Sequence, residues 1–517
     1  MSSRTFPIVS DATGSRSGEH HHHEHSQASS CGSGAINVLA GSETSPSVVA
    51  ESGFAGNVLM VTLGCAKNLV DSEVMLGALR SRGFRPIGEP EQADLIVVNT
   101  CAFLQSAVEE GVDRILELAR YKETGRCRKL VVAGCMVERY RSDLESSLPE
   151  VDRFISTDEL LTVADDESTS EQCFDGARRP YFLYDESMPR MRSTEGHTAF
   201  VKIAEGCDRP CAFCIIPKIR GEFRSRAISS IVNEISSLVA DGVKEISLVA
   251  QDLTSYGVDF VDGKRGAPQL ESLLDHIEQI EAPNGLWVRL LYAYPIGVTE
   301  TLITKIVKSR KICSYLDLPL QHISNSVLKR MNRPLGERGT RGLIEQMATI
   351  APDLAIRTTF VVGFPGETEE DVDALEQFVR EGYFTHVGVF TYSQESEAKA
   401  FHFPDQVPEE IKEERRRRIM EAQQSVVEAR LREYLGHELR VLVDGYHEDT
   451  DLLLAARTEW QGAETDGLVI VNEVEEEFLT ADGEAFDLER VKGRFGRVLI
   501  TDVTGYDLVG RLVALED

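Results

Sequence analysis

With 517 residues and 55 Lys and Arg against 85 Asp and Glu, the chain has a formal charge of −30. At roughly 150 residues per domain the length gives three domains, and the acidic balance excludes a broad phosphate-binding surface while favouring a basic partner. Ten thinly spread cysteines exclude a small disulfide scaffold and fit a reducing, cytoplasmic setting with metal-binding or catalytic thiols; no run approaches the ~20 apolar residues of a membrane span, and the N-terminus has no basic-then-apolar signal.

Residues 1–55 are rich in Ser, Gly and Ala, lack sustained periodicity and read as a disordered extension. His20, His21, His22, His23 and His25 form a tract that reads either as metal capture or as a floppy, weakly binding tail. Cys31 has no assigned role.

A first domain is expected over 56–165. Apolar runs at 58–63, 95–98 and 130–133 alternate with helical stretches at 71–82 and 106–121, the pattern of βαβ units in a parallel sheet. The runs end at Gly64-Cys65, at Asn99-Thr100-Cys101 and at Gly134-Cys135, with the cysteines 36 and 34 residues apart, one βα unit each. Parallel strands bring their C-terminal ends to one edge, where open α/β sheets bind ligands, so these three cysteines should converge. Three soft thiolates can hold three corners of a four-iron cluster and leave one iron free. The competing reading is three small buried residues at strand ends. Gly64 and Gly134 would let backbone approach the cluster. Cys127 and Cys173 lack such placement and read as structural, and the acidic stretch 162–179 reads as a linker.

A central domain follows over 193–430. Strand patterns at 199–203, 245–250, 287–292, 315–318, 356–362 and 386–392, with helical patterns at 228–241, 326–331 and 368–381, fit a partial (β/α)6 barrel whose function gathers at strand C-terminal ends. The first strand leads into Gly206-Cys207-Asp208-Arg209-Pro210-Cys211-Ala212-Phe213-Cys214, a C-x3-C-x2-C loop. Three thiolates on so short a loop suit an iron–sulfur cluster. Zinc sites more often show paired C-x2-C elements or added histidines, and here the nearest histidine, His197, is ten residues upstream. Zinc or buried structural thiols stay open as alternatives. Gln251 and Asp252, Gln321 and His322, and Gly363 to Thr368 follow other strands. Their plain readings are a strand cap for Gln251, a hydrogen-bonded loop residue for His322, and a tight turn at 363–366, which lacks the Gly-Lys-Ser/Thr ending of a phosphate loop. Cys313 precedes a strand, opposite the active edge, and reads as structural.

A charged helix is expected over 409–434, with Arg415, Arg416, Arg417 and Arg418 either touching RNA or lying on a solvated face between acidic flanks, and with Gly436 as its stop. Short strands at 439–443, 468–471, 497–503 and 508–515 give a small β-barrel over 436–517. That segment holds 7 Lys and Arg against 20 Asp and Glu, which repels phosphate and welcomes a basic protein. Direct nucleic-acid binding and membrane contact are therefore not expected. The fold class is α/β, with a small β-barrel at the C-terminal end.

The Cys207–Cys211–Cys214 loop resembles the radical S-adenosylmethionine (SAM) signature. The wider run from Lys202-Ile203-Ala204-Glu205 through Arg220-Gly221-Glu222-Phe223-Arg224-Ser225-Arg226 is similar to the methylthiotransferase branch. Gly64-Cys65-Ala66-Lys67-Asn68-Leu69-Val70-Asp71-Ser72-Glu73 and Asn99-Thr100-Cys101 resemble that family's N-terminal blocks, the first matching its RimO branch best, over about residues 57–517. The resemblance implies two [4Fe-4S] clusters, one on Cys207, Cys211 and Cys214 that binds and cleaves SAM, and one on Cys65, Cys101 and Cys135 that handles sulfur. It implies that Phe213 packs near the adenine, that Gln251 and the Gly363 region line the SAM pocket, and that the tail is TRAM-like, an OB-like barrel. It implies a 5′-deoxyadenosyl radical and a methylthio group placed on the β-carbon of an aspartate in the basic small-subunit ribosomal protein numbered twelve. It names neither sulfur donor nor electron donor; a monomer is expected. A tRNA adenosine methylthiotransferase would carry a basic tail barrel, and a non-catalytic iron–sulfur scaffold would hold clusters without cleaving SAM.

Overall fold

The computed structural model describes residues 37–38, 54–165, 183–261, 265–475, 478 and 486–516. The chain divides into two units, one running to residue 193 and including 205–208 and 215–222, the other made of 194–204, 209–214 and 223–517.

The first unit is built on β1 (Gly56–Thr62), β2 (Leu95–Thr100), β3 (Lys129–Gly134) and β4 (Arg153–Ile155), with α1 (Ala66–Ser81), α2 (Gln105–Ala119) and α3 (Cys135–Ser147) between them. The strands are parallel and paired in that order, with Thr62 opposite Asn99 and Thr100 opposite Gly134. β2 is an unbroken run of buried residues and β1 is buried at every position but Asn57, the pattern of parallel strands covered on both faces rather than an alternating one. Phe84–Pro86 pairs in parallel with Gly56–Val58 of β1, and Asn37–Val38 pairs in antiparallel fashion with Val61–Thr62. That last pairing lies inside the stretch whose composition predicts no structure. The histidine tract, Cys31 and Cys173 lie outside the described residues.

Helix α1 is buried on nearly every side, polar residues included. Its Glu73 is fully buried and accepts from Arg190 Nε at 2.9 Å and Ser193 N at 2.7 Å, which straps the returning chain over the helix. The linker expected from residue 162 starts later, because Leu160–Ala164 forms an ordered 3-10 turn with Leu160 and Val163 buried. Residues 166–179 lie outside the described residues.

The second unit contains six parallel strands paired in chain order: β5 (Thr198–Lys202), β6 (Glu245–Val249), β7 (Trp287–Leu290), β8 (Ile312–Asp317), β9 (Ala355–Val362) and β10 (His386–Thr391). β5 and β10 are the two ends of this sheet, so the barrel is open. Helices α4 (Ile228–Ala240), α5 (Leu270–Glu278), α6 (Glu300–Lys308), α7 (Asn325–Arg330), α8 (Glu337–Ile350) and α9 (Glu369–Arg380) lie between the strands in sequence. Val201, Ile246, Leu248, Val288, Leu316 and Phe360 are among the buried residues of one continuous core. Helix α9 starts on a capping box between Thr368 and Asp371.

Helix α10 (Glu409–Leu431) leads into five strands, β11 (Glu438–His447), β12 (Thr450–Arg457), β13 (Val469–Val474), β14 (Phe495–Thr504) and β15 (Asp507–Leu515), which close into a barrel in the order β11-β12-β13-β15-β14. β12 has no counterpart in the expected strands. The four arginines of α10 do not share one solvated face. Arg415 is buried and pairs with Glu367 and Glu369, Arg418 pairs with Asp373 and Glu376, and Arg416 and Arg417 pair with Glu413, Glu414 and Glu421 on their own helix.

The β11–β15 barrel packs on the N-terminal ends of the central strands. Leu442 and Phe495 join Trp287, Tyr315, Ala355 and Cys313 in one apolar cluster. Cys313 therefore lies inside β8, not ahead of it, while still remote from the C-terminal edge. Beside this cluster Arg457 Nη1 sits 2.6 Å from Glu245 Oε2, Arg457 Nε 2.7 Å from Asp444 Oδ2, and Arg289 Nε 2.9 Å from Glu245 Oε1. No helix among the described residues is long and apolar enough to cross a membrane.

Candidate functional site

Cys65, Cys101 and Cys135 follow β1, β2 and β3. Carrying the register one step beyond Thr100–Gly134 sets Cys101 level with Cys135, and two steps beyond Thr62–Asn99 sets Gly64 level with Cys101. An added Cβ on Gly64 would stand 2.7 Å from the Cys101 Cβ and 3.3 Å from its Sγ. Cys135 Sγ lies 3.7 Å from Asn68 Oδ1, in the first turn after Cys65. The parallel register thus brings the three cysteines to one sheet edge.

Two of them also sit at helix starts. Cys65 is the N-cap of α1 and Cys135 opens α3. Helix N-termini favour anions, so they favour thiolates. Burial raises the Cys65 pKa, but Lys67, Arg220 and the backbone N–H groups of Asn68 and Lys67 outweigh it and hold the thiol below its usual value. Burial pushes Cys135 up to about 11 against the pull of Arg220, with the neighbouring Cys65 adding to the rise.

Gly64 and Gly134 have φ of +102° and +96°, a region L side chains avoid. The positions a Cβ would take are filled by Cys101 and Asn68 at Gly64, and by Asn99 and the Thr100 backbone at Gly134. The sequence assigns these glycines to close approach of a cluster; what they accommodate here is the end of the neighbouring strand. Gly134→Ala is expected to destabilise the first unit by about 1–3 kcal/mol and to lower the iron retained by the full chain, measured by thermal melting and iron content. A variant that melts and loads like the parent would refute it.

One residue that the motifs did not single out stands at the centre of this edge. Arg220 donates Nε–H to Cys135 Sγ at 3.2 Å and Nη1–H to Asp71 Oδ2 at 2.7 Å and Glu205 Oε2 at 3.3 Å, while Nη2–H goes to Asn68 Oδ1. Burial pulls its pKa down, but Cys135, Glu205, Asp71 and Cys65 around it more than reverse this and hold the guanidinium firmly charged. Asn68 and Asp71 were legible in principle, since they recur at helical spacing after Cys65. Arg220 stands in the run that resembles the methylthiotransferase branch, but nothing local pointed to Asp71, 149 residues away.

Of the second trio, Cys207 lies in the first unit, where its N–H donates to Gly221 O at 3.1 Å. Cys211 and Cys214 lie in the second unit, half-buried, beyond the C-terminal end of β5. Ala212 between them exchanges backbone hydrogen bonds with Met331 and Ala400 at 2.9 Å each. Phe213 packs on the apolar group of Ala212, Val327, Met331, Phe364 and Tyr392. Phe364 follows Gly363, so Phe213 and the turn after β9 share one surface. Gly363 itself donates N–H to Glu367 Oε1 at 2.9 Å and abuts Lys412 of α10. Gln251 stands half-buried just past β6, outside that apolar group. His322 is a hydrogen-bonded loop residue, accepting from Ser324 N at 3.0 Å, and burial lowers its pKa to about 4.

Residues past β5 and β8 add a cationic flank. Arg209 and Arg333 lie 4.1 and 4.4 Å from the ring centroid of Tyr294. Arg209 pairs with Asp252 at 2.7 Å, and Arg333 Nη1 reaches to 3.7 Å from Cys211 Sγ. Tyr292 and Gln321, which follow β7 and β8, have φ of +66° and +77°. Such strain in non-glycine residues gathers at functional edges.

Among the described residues no three His, Cys, Asp or Glu side chains converge on a point that would bind one ion. A four-iron cube asks something different, because each thiolate takes its own iron corner. The first trio fits such a group: three cysteines outside any disulfide, two of them at helix N-termini, with a buried guanidinium facing one sulfur. In the second unit Cys211 and Cys214 fit on donor chemistry, with an apolar shelf at Phe213 and a guanidinium near Cys211.

Three family models match. Residues 57–156 match the uncharacterized protein family UPF0004, 201–379 the radical SAM superfamily and 435–513 the TRAM domain. The ribosomal protein uS12 methylthiotransferase RimO of Geobacter sulfurreducens is 44% identical over 461 residues, covering 88% of this chain and 98% of that protein. The protein of the same name from Syntrophotalea carbinolica is 45% identical over 463 residues, covering 89% and 97%. Among solved structures, the radical SAM methyltransferase TsrM of Kitasatospora setae aligns with a TM-score of 0.47 and 15% identity over 65% of this chain and 73% of that one.

Proposed function

The chain belongs to the RimO family of ribosomal protein uS12 methylthiotransferases, and from that membership we propose how its residues divide the work. It is a radical SAM methylthiotransferase, of a family that uses SAM and a [4Fe-4S] cluster. In our reading two clusters are held, one by Cys207, Cys211 and Cys214 and one by Cys65, Cys101 and Cys135, and the acceptor is the β-carbon of an aspartate in uS12. The observation that carries this is the parallel register that gathers Cys65, Cys101 and Cys135 at one edge against a buried arginine.

When bound, the clusters and SAM supply the one-electron and sulfur chemistry that an unactivated C–H bond requires. The chain's own part is to hold and orient. The helix start at Cys65, with Lys67 and Arg220 beside it, favours that ligand as a thiolate. Phe213 and Phe364 offer an apolar shelf suited to an adenine ring, with Gln251 and Gly363 at the same strand ends. The acidic tail barrel, with 7 Lys and Arg against 20 Asp and Glu, attracts a basic ribosomal protein and repels RNA. The arginine run of α10 is engaged by Glu and Asp, which supports the same choice over tRNA. We place the protein in the cytoplasm with its substrate, acting as a monomer.

Mass spectrometry of uS12 from cells with and without this gene tests the reading. A mass gain of one SCH2 unit on an aspartate is expected only when the gene is present; its persistence in the deletion strain removes the assigned substrate.

A further inference from the structure

We propose that Arg220 is a positioning residue for the Cys65–Cys101–Cys135 site, setting the electron density on the Cys135 sulfur through its Nε–H hydrogen bond. The inference rests on the reading above that these cysteines hold a second cluster.

The side chain is 4% exposed. Burying a guanidinium costs several kcal/mol unless every donor is met, and here the donors are met in a definite pattern. Asp71 and Glu205 take Nη1 at 2.7 and 3.3 Å, and Asn68 takes Nη2. Both Asn68 and Asp71 lie on α1, whose N-cap is Cys65. They fix the plane of the fork, and the remaining edge, Nε–H, faces Cys135 Sγ at 3.2 Å. A purely structural ion pair needs only the two carboxylates. Those carboxylates already outnumber the single positive charge, so what Arg220 brings to the sulfur is a directed hydrogen bond rather than excess charge. Lysine retains the charge but cannot reproduce the planar fork. Hydrogen bonds to ligand sulfur are among the levers that set the potential of an iron–sulfur cluster.

The test uses the full-length chain carrying Cys207→Ala, Cys211→Ala and Cys214→Ala, reconstituted anaerobically so that only the N-terminal trio holds iron. Arg220→Lys in that background is expected to keep the parent's melting midpoint and iron content. Its midpoint potential should move negative and its reduced-state EPR signal change, because the sulfur loses its N–H partner. Arg220→Met should shift the same way and retain iron about 10–100-fold less tightly. Pulsed EPR on the parent labelled with 15N-arginine needs no variant to fold, and should show nitrogen coupling to the reduced cluster. A folded, iron-loaded Arg220→Lys chain with unchanged potential and spectrum, or absent coupling, reduces Arg220 to a structural ion pair and overturns the proposal. An iron-free parent overturns the two-cluster reading along with it. A chain that loads both sites yet leaves uS12 unmodified sinks the substrate reading alone.

Discussion

Alanine at Cys65, Cys101 and Cys135 together is expected to leave reductive consumption of SAM intact while modification of uS12 falls more than about a hundredfold, beyond the 10–100-fold that losing even an outer partner of a metal site costs. Alanine at Cys207, Cys211 and Cys214 is expected to abolish both. The asymmetry follows from the surroundings of the two trios. The first stands at a sheet edge packed with polar groups, where Asn68 and Arg220 meet the sulfur of Cys135 and Asp71 holds Arg220. The second opens beside Phe213, Phe364 and Tyr392, and has Arg333 near Cys211. Iron content per chain, SAM consumption under reducing conditions and mass spectrometry of a uS12 peptide separate the outcomes. Full methylthio transfer by the first triple variant would dismiss the division of roles.

The strand pattern was legible because buried parallel strands must be continuous apolar runs. All six central strands and the three strands ending in cysteine lie where Val, Ile and Leu concentrate. The meeting of Cys65, Cys101 and Cys135 was legible for the same reason, since parallel register leaves the ends of adjacent strands little choice. β12 was missed because its outer half is exposed and its inner half is wholly buried, so Thr450–Arg457 never alternates in the way a barrel strand announces itself. Arg415 was misjudged because four consecutive arginines look alike in sequence. What distinguishes one is Glu367, 48 residues upstream in the chain but directly beneath it in space. Arg220 escaped for the same reason: its role is conferred by Asn68 and Asp71, about 150 residues away, and no periodicity reports a partner at that distance. Residues that repeat with a strand or helix are readable; residues that complete another segment's charge are not.

Replacing Arg457 with Met is expected to cost the second unit about 3–5 kcal/mol, the usual penalty for stranding one side of a buried ion pair, and to lower its melting midpoint by roughly 5–15 °C. Arg457 is 2% exposed and sits between Glu245, the first residue of β6, and Asp444 of β11. Its loss leaves Glu245 to Arg289 alone and Asp444 to His197, whose Nε2 is 2.9 Å away. The effect has a pH signature. Burial would raise the Asp444 carboxyl, but Arg457 and His197 more than reverse this and hold it well below the usual carboxylate range; Glu245 is lowered too, by Arg457 and Arg289 against its burial. A carboxyl with a depressed folded-state pKa contributes stability that is complete above its unfolded value, about 4, and lost as pH falls toward the folded one. The parent chain should therefore lose stability on acidification below about pH 5, and Arg457→Met should lose less over the same interval because Asp444 titrates closer to its unfolded value. Thermal melts of both chains from pH 7 downward measure this, and parallel curves would show that the network does not couple the tail barrel to the central strands. The network lies at the N-terminal ends of the strands, opposite the edge where barrels of this kind place their chemistry. A charge network there serves to fix the acidic barrel to a scaffold whose opposite edge bears Cys211 and Cys214. Under the proposed function, the distance from that barrel to the edge bearing Cys211 and Cys214 is set by packing rather than by a linker.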